Sequence, residues 1–165
     1  MKEELKKLII LGKIKEAKDI FKIIDYYEAR DVILSIGYET ESIIIYSFVC
    51  SMLNEGESAK LHYLASEILV NPLCFLSGAY NAALYHARRA VELEPDDISF
   101  KEYLLLFYNI PEKLIDKEEA IEISREVIKK NQNSKVALEI LNQRWGSKNY
   151  SEDEIREKVR DVIKN

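Results

Sequence analysis

The chain has 165 residues, 47% of them hydrophobic and 32% charged, enough to bury a core without disulfides or metal and too apolar for a disordered chain. Five glycines and three prolines are too few for a sandwich or barrel with many tight turns. A formal net charge of −5 argues against nonspecific nucleic-acid binding as the main role.

In chain order, Leu5, Leu8 and Ile9 open an amphipathic helix that stops at Gly12, and Ile14, Ala17, Phe21 and Ile24 form one stripe on a second. A third helix is expected over Tyr27 to Ile36, ending near Gly37. The segment from Ser42 to Asn54 is apolar almost all round and should lie centrally. Its run Ile43-Ile44-Ile45 would suit a strand, but no second run exists to pair with it. Leu61, Leu64, Ala65, Ile68 and Leu69 give the next stripe, interrupted at Asn71-Pro72. Tyr80, Ala83, Leu84, Ala87 and Val91 give another, ended by Glu94-Pro95. Phe100, Tyr103, Leu104, Phe107 and Tyr108 follow, with a capping-box pattern in Ser99 and Glu102. Ala120, Ile121, Ser124 and Ile128 line a helix after Asp116. Ala137, Ile140, Leu141 and Trp145 line one broken at Gly146. Ser151 with Glu154 opens a last stripe of Ile155, Val159, Val162 and Ile163. The expectation is an all-α single domain over residues 1–165, with about nine helices and no sheet.

Two segments repeat a glycine-to-alanine spacing of five, Gly12 to Ala17 and Gly78 to Ala83. The second continues through Ala87 and Ala90 to Pro95. This resembles the second helix of a tetratricopeptide repeat, in which small residues, a hydrophobic residue and a closing proline recur at these offsets. The stretch from Asp116 through Ala120, Ser124 and Val127 to Asn131 is similar, and Gly56 to Ala59 with Tyr63, Ser66 and Asn71-Pro72 is a weaker copy. The key alanines fall at 17, 59, 83 and 120, an uneven spacing where a regular array holds near 34. The resemblance implies an irregular array of antiparallel helix pairs, an α-solenoid of tetratricopeptide-like kind. Arrays of this kind bind partners along an extended surface.

No phosphate-cradling glycine loop and no GxSxG elbow is present. His62 and His86 lie in no metal-ligand spacing. The even intervals of Cys50, His62, Cys74 and His86 read as chance. Both cysteines have apolar neighbours, so buried free thiols in a reducing compartment are expected. The first residues carry acids and no long apolar run, which argues against a secretory signal and for a cytoplasmic protein. Neither a membrane nor a cofactor is expected.

Charge is unevenly placed. Residues 1–24 carry seven lysines against four acids, whereas residues 25–58 carry Arg30 against seven acids. Ten tyrosines are many for this length, and tyrosine offers contact area with a polar tip at low entropic cost. Tyr80 and Tyr103 fall on core stripes. Asp25, Tyr26, Tyr27, Glu28, Asp31, Tyr38, Glu39 and Glu41 are therefore the expected partner-binding residues. The expected function is non-enzymatic protein binding, with a basic partner suggested by the charge. In size and charge the chain is similar to bacterial immunity proteins, which implies neutralisation of a basic toxin domain. A peptide-holding adaptor or chaperone is the alternative, and a metal-binding protein or enzyme built on His62, His86 and the cysteines is a third.

Overall fold

The computed structural model describes residues 1–144 and, beyond them, Glu154, Glu157, Arg160 and Asp161. Every regular element among the described residues is a helix: α1 (Lys2–Ile10), α2 (Ile14–Phe21), α3 (Tyr26–Thr40), α4 (Ile44–Leu53), α5 (Ala59–Val70), α6 (Ala79–Leu93), α7 (Ile98–Leu104), α8 (Leu106–Asn109), α9 (Lys117–Lys130) and α10 (Lys135–Arg144). They gather into two compact units, Met1–Leu93 and Glu94–Asn165. No helix among the described residues is long and apolar enough to cross a membrane. The expected Trp145, Gly146, Ser151 and the stripe of Ile155, Val159, Val162 and Ile163 lie outside the described residues.

In the first unit, helices pack mostly as neighbours in sequence, α5 with α6 most extensively, then α4 with α5 and α1 with α2, and less so α3 with α4, while α1 also lies against α3. Gly12 and Gly78 supply the left-handed backbone, φ +69° and +78°, that lets the chain reverse before α2 and α6. The alanines five residues on, Ala17 and Ala83, are fully buried, so their helices approach neighbours closely. Side-chain bonds then tie one pair to the next. Lys2 and Lys6 of α1 reach Glu28 and Glu39 of α3. Tyr26 and Arg30 of α3 reach Lys60 and Glu67 of α5. Both sets rise together in number, so α1, α3 and α5 run side by side in one direction. Ile45, Phe48 and Val49 of α4 are fully buried in a core shared with Leu5, Ile9, Ile33, Ile36, Leu64 and Ile68. The β-branched run at 43–45 is thus a helix start, as expected, because its neighbours offer an apolar helical seat and no strand edge.

Two element boundaries differ from expectation. α3 does not end near Gly37 but continues to Thr40, and Glu41 closes it in the left-handed region at φ 51°. Gly37 serves close approach instead: a Cβ there would lie 2.6 Å from Ile45 Cδ1 and 2.7 Å from Pro72 Cγ. The cap of α7 is Asp97 rather than Ser99. The Asp97 carboxylate accepts from the Ser99 amide at 2.9 Å and from its hydroxyl at 2.7 Å. A carboxylate outcompetes a hydroxyl as acceptor.

The second unit centres on α9. Its buried stripe of Ala120, Ile121, Ser124, Val127 and Ile128 packs with α7 and α10, among Phe100, Leu104, Phe107, Ala137, Ile140 and Leu141. Asp116 caps α9 by accepting from the Glu119 amide at 2.8 Å, with Glu118 and Glu119 in the first turn and Lys129 and Lys130 in the last, each sign at its favourable end of the helix dipole. The expected single helix over 100–108 divides at Leu105 into α7 and α8. Tyr103 packs edge-on to Phe107, and both Tyr80 and Tyr103 are half-buried rather than fully in the core.

Candidate functional site

The expected partner-binding residues all lie on α3 and its two caps. Asp25 is the N-cap, its carboxylate accepting from the Tyr27 amide at 2.9 Å and the Glu28 amide at 3.1 Å. Tyr26 turns inward. Its hydroxyl donates to the Lys60 carbonyl at 2.8 Å, its ring meets Phe21 edge-on, and burial with Glu67 nearby pushes its phenol above the usual range. Glu28 pairs with Lys2, Asp31 with Arg30, and Glu39 with Lys6 and the Ser35 hydroxyl, which holds the Glu39 carboxyl below its usual range. Glu55 pairs with Lys18 and Lys22, and Glu57 with Arg89. Three of the segment's seven acids, Glu28, Glu39 and Glu55, are thus paired with lysines of the basic N-terminus, and Asp31 and Glu57 with arginines. Tyr27 and Tyr38 are left open, 64% and 63% exposed. They stand eleven residues, three helical turns, apart, with exposed Asp31 and half-buried Leu34 between them on the same stripe. The opposite face of α3 is Ala29, Ile33, Ile36 and Gly37, all buried.

A second constellation was missed by the sequence reading. His62 and His86 are not independent: His62 Nδ1 lies 2.8 Å from His86 Nδ1, and both residues are buried. His62 Nε2 lies 2.9 Å from Glu57 Oε1, and His86 Nε2 lies 2.9 Å from the Tyr46 hydroxyl. Arg89 clamps Glu57 through Nε and Nη2, both at 2.7 Å, and also donates to Glu92 at 2.8 Å, as its i+3 position suggests. Tyr85 covers both imidazoles edge-on.

Elementary donor counting fixes the protons of this chain. Arg89 and His62 hold the Glu57 carboxyl down at about 2, so it is ionised and only accepts. His62 must therefore donate from Nε2. A neutral His62 then accepts at Nδ1, so His86 donates from Nδ1 and accepts from Tyr46 at Nε2. Burial, and then the neighbouring His62, push the His86 imidazole down to about 4, which keeps it neutral at pH 7. Burial raises the Tyr46 phenol to about 12, with Cys50 one turn on as a hydrogen-bonding neighbour, so Tyr46 keeps the proton it donates.

The even spacing of Cys50, His62, Cys74 and His86 remains chance, but the separation of His62 from His86 has a cause in the α5–α6 hairpin. In an antiparallel helix pair, facing residues have numbers of nearly constant sum. Ser66 donates to the Ala83 carbonyl at 2.8 Å, His62 meets His86, and Glu57 meets Arg89, each pair centred near the turn at 71–78. Two histidines placed symmetrically about that turn were the available signal. The cysteines do not join them. Cys50 is half-buried on α4, and Cys74, in the turn between α5 and α6, is exposed rather than buried. Among the described residues no group of three or more His, Cys, Asp or Glu side chains is placed to hold a metal ion. Compared with known proteins, the chain matches no family model, no curated protein and no solved structure.

Proposed function

We propose that this chain is a protein-binding helical module that engages its partner through the exposed stripe of α3. The observation that carries the reading is the pair Tyr27 and Tyr38, both open to solvent on a helix whose other face is locked into the core. Rigid, exposed tyrosines offer contact area at little entropic cost, as at interface hot spots. A tetratricopeptide-like but irregular arrangement of the first unit is suggested by the spacing of the bonds that join its helix pairs. Lys2 pairs with Glu28, 26 residues on, while Lys6 to Glu39 and Lys18 to Ser51 span 33, Tyr26 to Lys60 spans 34, and Arg30 to Glu67 spans 37. All but the first fall near the roughly 34 residues of such a repeat.

A basic partner, such as a toxin domain neutralised by an immunity-type protein, is the second reading. It is favoured by the net charge of −5 and by exposed Asp31 and Glu41 beside the tyrosines. Because most of the segment's acids are already paired, apolar and aromatic contact should carry more of the affinity than charge. Affinity capture with the full chain, compared with Tyr27→Ser/Tyr38→Ser, tests the proposal. A protein retained in stoichiometric amount by the natural chain and lost from the variant is expected. Retention that collapses with added salt while tolerating the tyrosine changes would favour the charge-led reading.

A further inference from the structure

The chain from Arg89 to Tyr46 crosses three elements. Glu57 and His62 belong to α5 and its approach, His86 and Arg89 to α6, and Tyr46 to α4. It is an uninterrupted line of hydrogen bonds whose centre is two imidazoles sharing one proton between facing Nδ1 atoms 2.8 Å apart. One proton added to the pair does not break it. With His62 as imidazolium, Nε2–H still donates to Glu57, Nδ1–H now donates to His86, and His86 donates from Nε2 to the Tyr46 oxygen. The Tyr46 hydroxyl is then free to turn toward Cys50. Every contact survives: His62 to Glu57 keeps its direction, and the His62–His86 and His86–Tyr46 contacts reverse. A second proton cannot be accommodated. It sets two N–H bonds head to head across the same gap, and two cations with ring centroids 5.0 Å apart.

We propose that the His62–His86 pair is an acid-operated latch, closed with none or one added proton and opened by the second, which releases α6 from α5 and from Tyr46 of α4. The groups that face the pair fit this role. Tyr46 faces His86 from α4 with Cys50 beside its hydroxyl, and the ionised Glu57 carboxylate faces His62. On α6, Tyr85 lies against both rings, while Arg89 and Glu92 compensate each other and Glu57. From α3, Tyr26 and Arg30 meet α5 elsewhere, at Lys60 and Glu67. Among the described residues no anion faces His86 to neutralise a charge there, so the second proton is uncompensated. The low basicity of the buried His86 ring, about 4, is consistent with it.

Amide hydrogen exchange of the full chain between pH 6.5 and 4.0, with each rate normalised to the intrinsic rate at its pH, tests the latch. Protection around residues 57–62 and 86–93 should fall about tenfold or more relative to α1 and α2, which carry no histidine, the ratio worth one pKa unit. His86→Gln should flatten that local response. Uniform loss across the unit, or no local loss, overturns the proposal. If the variant does not fold, nitrogen chemical shifts of the histidine rings in the natural chain decide. At neutral pH His62 should carry its proton on Nε2 and His86 on Nδ1; two rings in the same tautomer would exclude the shared proton.

Discussion

At the scale of single residues, the strongest constraints come from groups whose chemistry leaves one arrangement. Arg30 donates to Glu67 from Nε at 2.7 Å and again from Nη2, and Glu67 is only 5% exposed. Removing the guanidinium strands a buried carboxylate, so Arg30→Met should cost about 3 kcal/mol in a urea titration. Gly37 sets two effects against each other. Alanine is the better helix former by about 1 kcal/mol, but its Cβ would meet the rigid Pro72 ring, and overpacking costs typically about 1–3 kcal/mol. Ile45 Cδ1 can yield and the proline cannot, so Gly37→Ala should lower the unfolding midpoint. Gly37 also marks a limit of sequence reading. A glycine in a helical pattern looked like a stop, and only the distant Pro72 explains why the helix runs through it.

At the scale of elements, stripes were legible because a helix needs just one apolar face, and Ala120, Ser124 and Ile128 or Leu64, Ala65 and Ile68 state that face directly. Caps were less legible. A helix was expected after Asp116, which caps it, but the sequence pattern pointed to Ser99 at the start of α7, where the Asp97 carboxylate is the cap. Asp25 accepts from two amides of the first turn of α3, so Asp25→Ala should cost about 1 kcal/mol of thermal or urea stability while the rest of α3 keeps its helical signal. Charge runs misled for a physical reason. The acids of 25–58 and the lysines of 1–24 look separate along the chain, and helix pairing sets them face to face. The histidine pair needed the hairpin register, which depends on where the turn falls, before their numbers meant anything.

At the scale of the whole molecule, the titrating groups give stability a defined pH profile. The folded His86 imidazole is depressed from 6.5 to about 4, so the unfolded chain binds the proton more readily, and stability is lost as pH falls from about 6.5 to about 4. Glu57, depressed from 4.5 to about 2, adds a second loss below about 4.5. The urea midpoint should hold near neutral pH and then fall through both windows, and His86→Gln should remove the upper one. The proposed function rests on the first unit's surface. An interface built on Tyr27 and Tyr38 predicts that Tyr27→Ser/Tyr38→Ser keeps the helical circular-dichroism signal and an unfolding free energy within about 0.5 kcal/mol of the natural chain in a urea titration, since both side chains are exposed. Quantitative capture with the two forms side by side is the decisive measurement. A partner held by the natural chain should be lost from the folded double variant, and equal retention by both forms would contradict a binding face on α3.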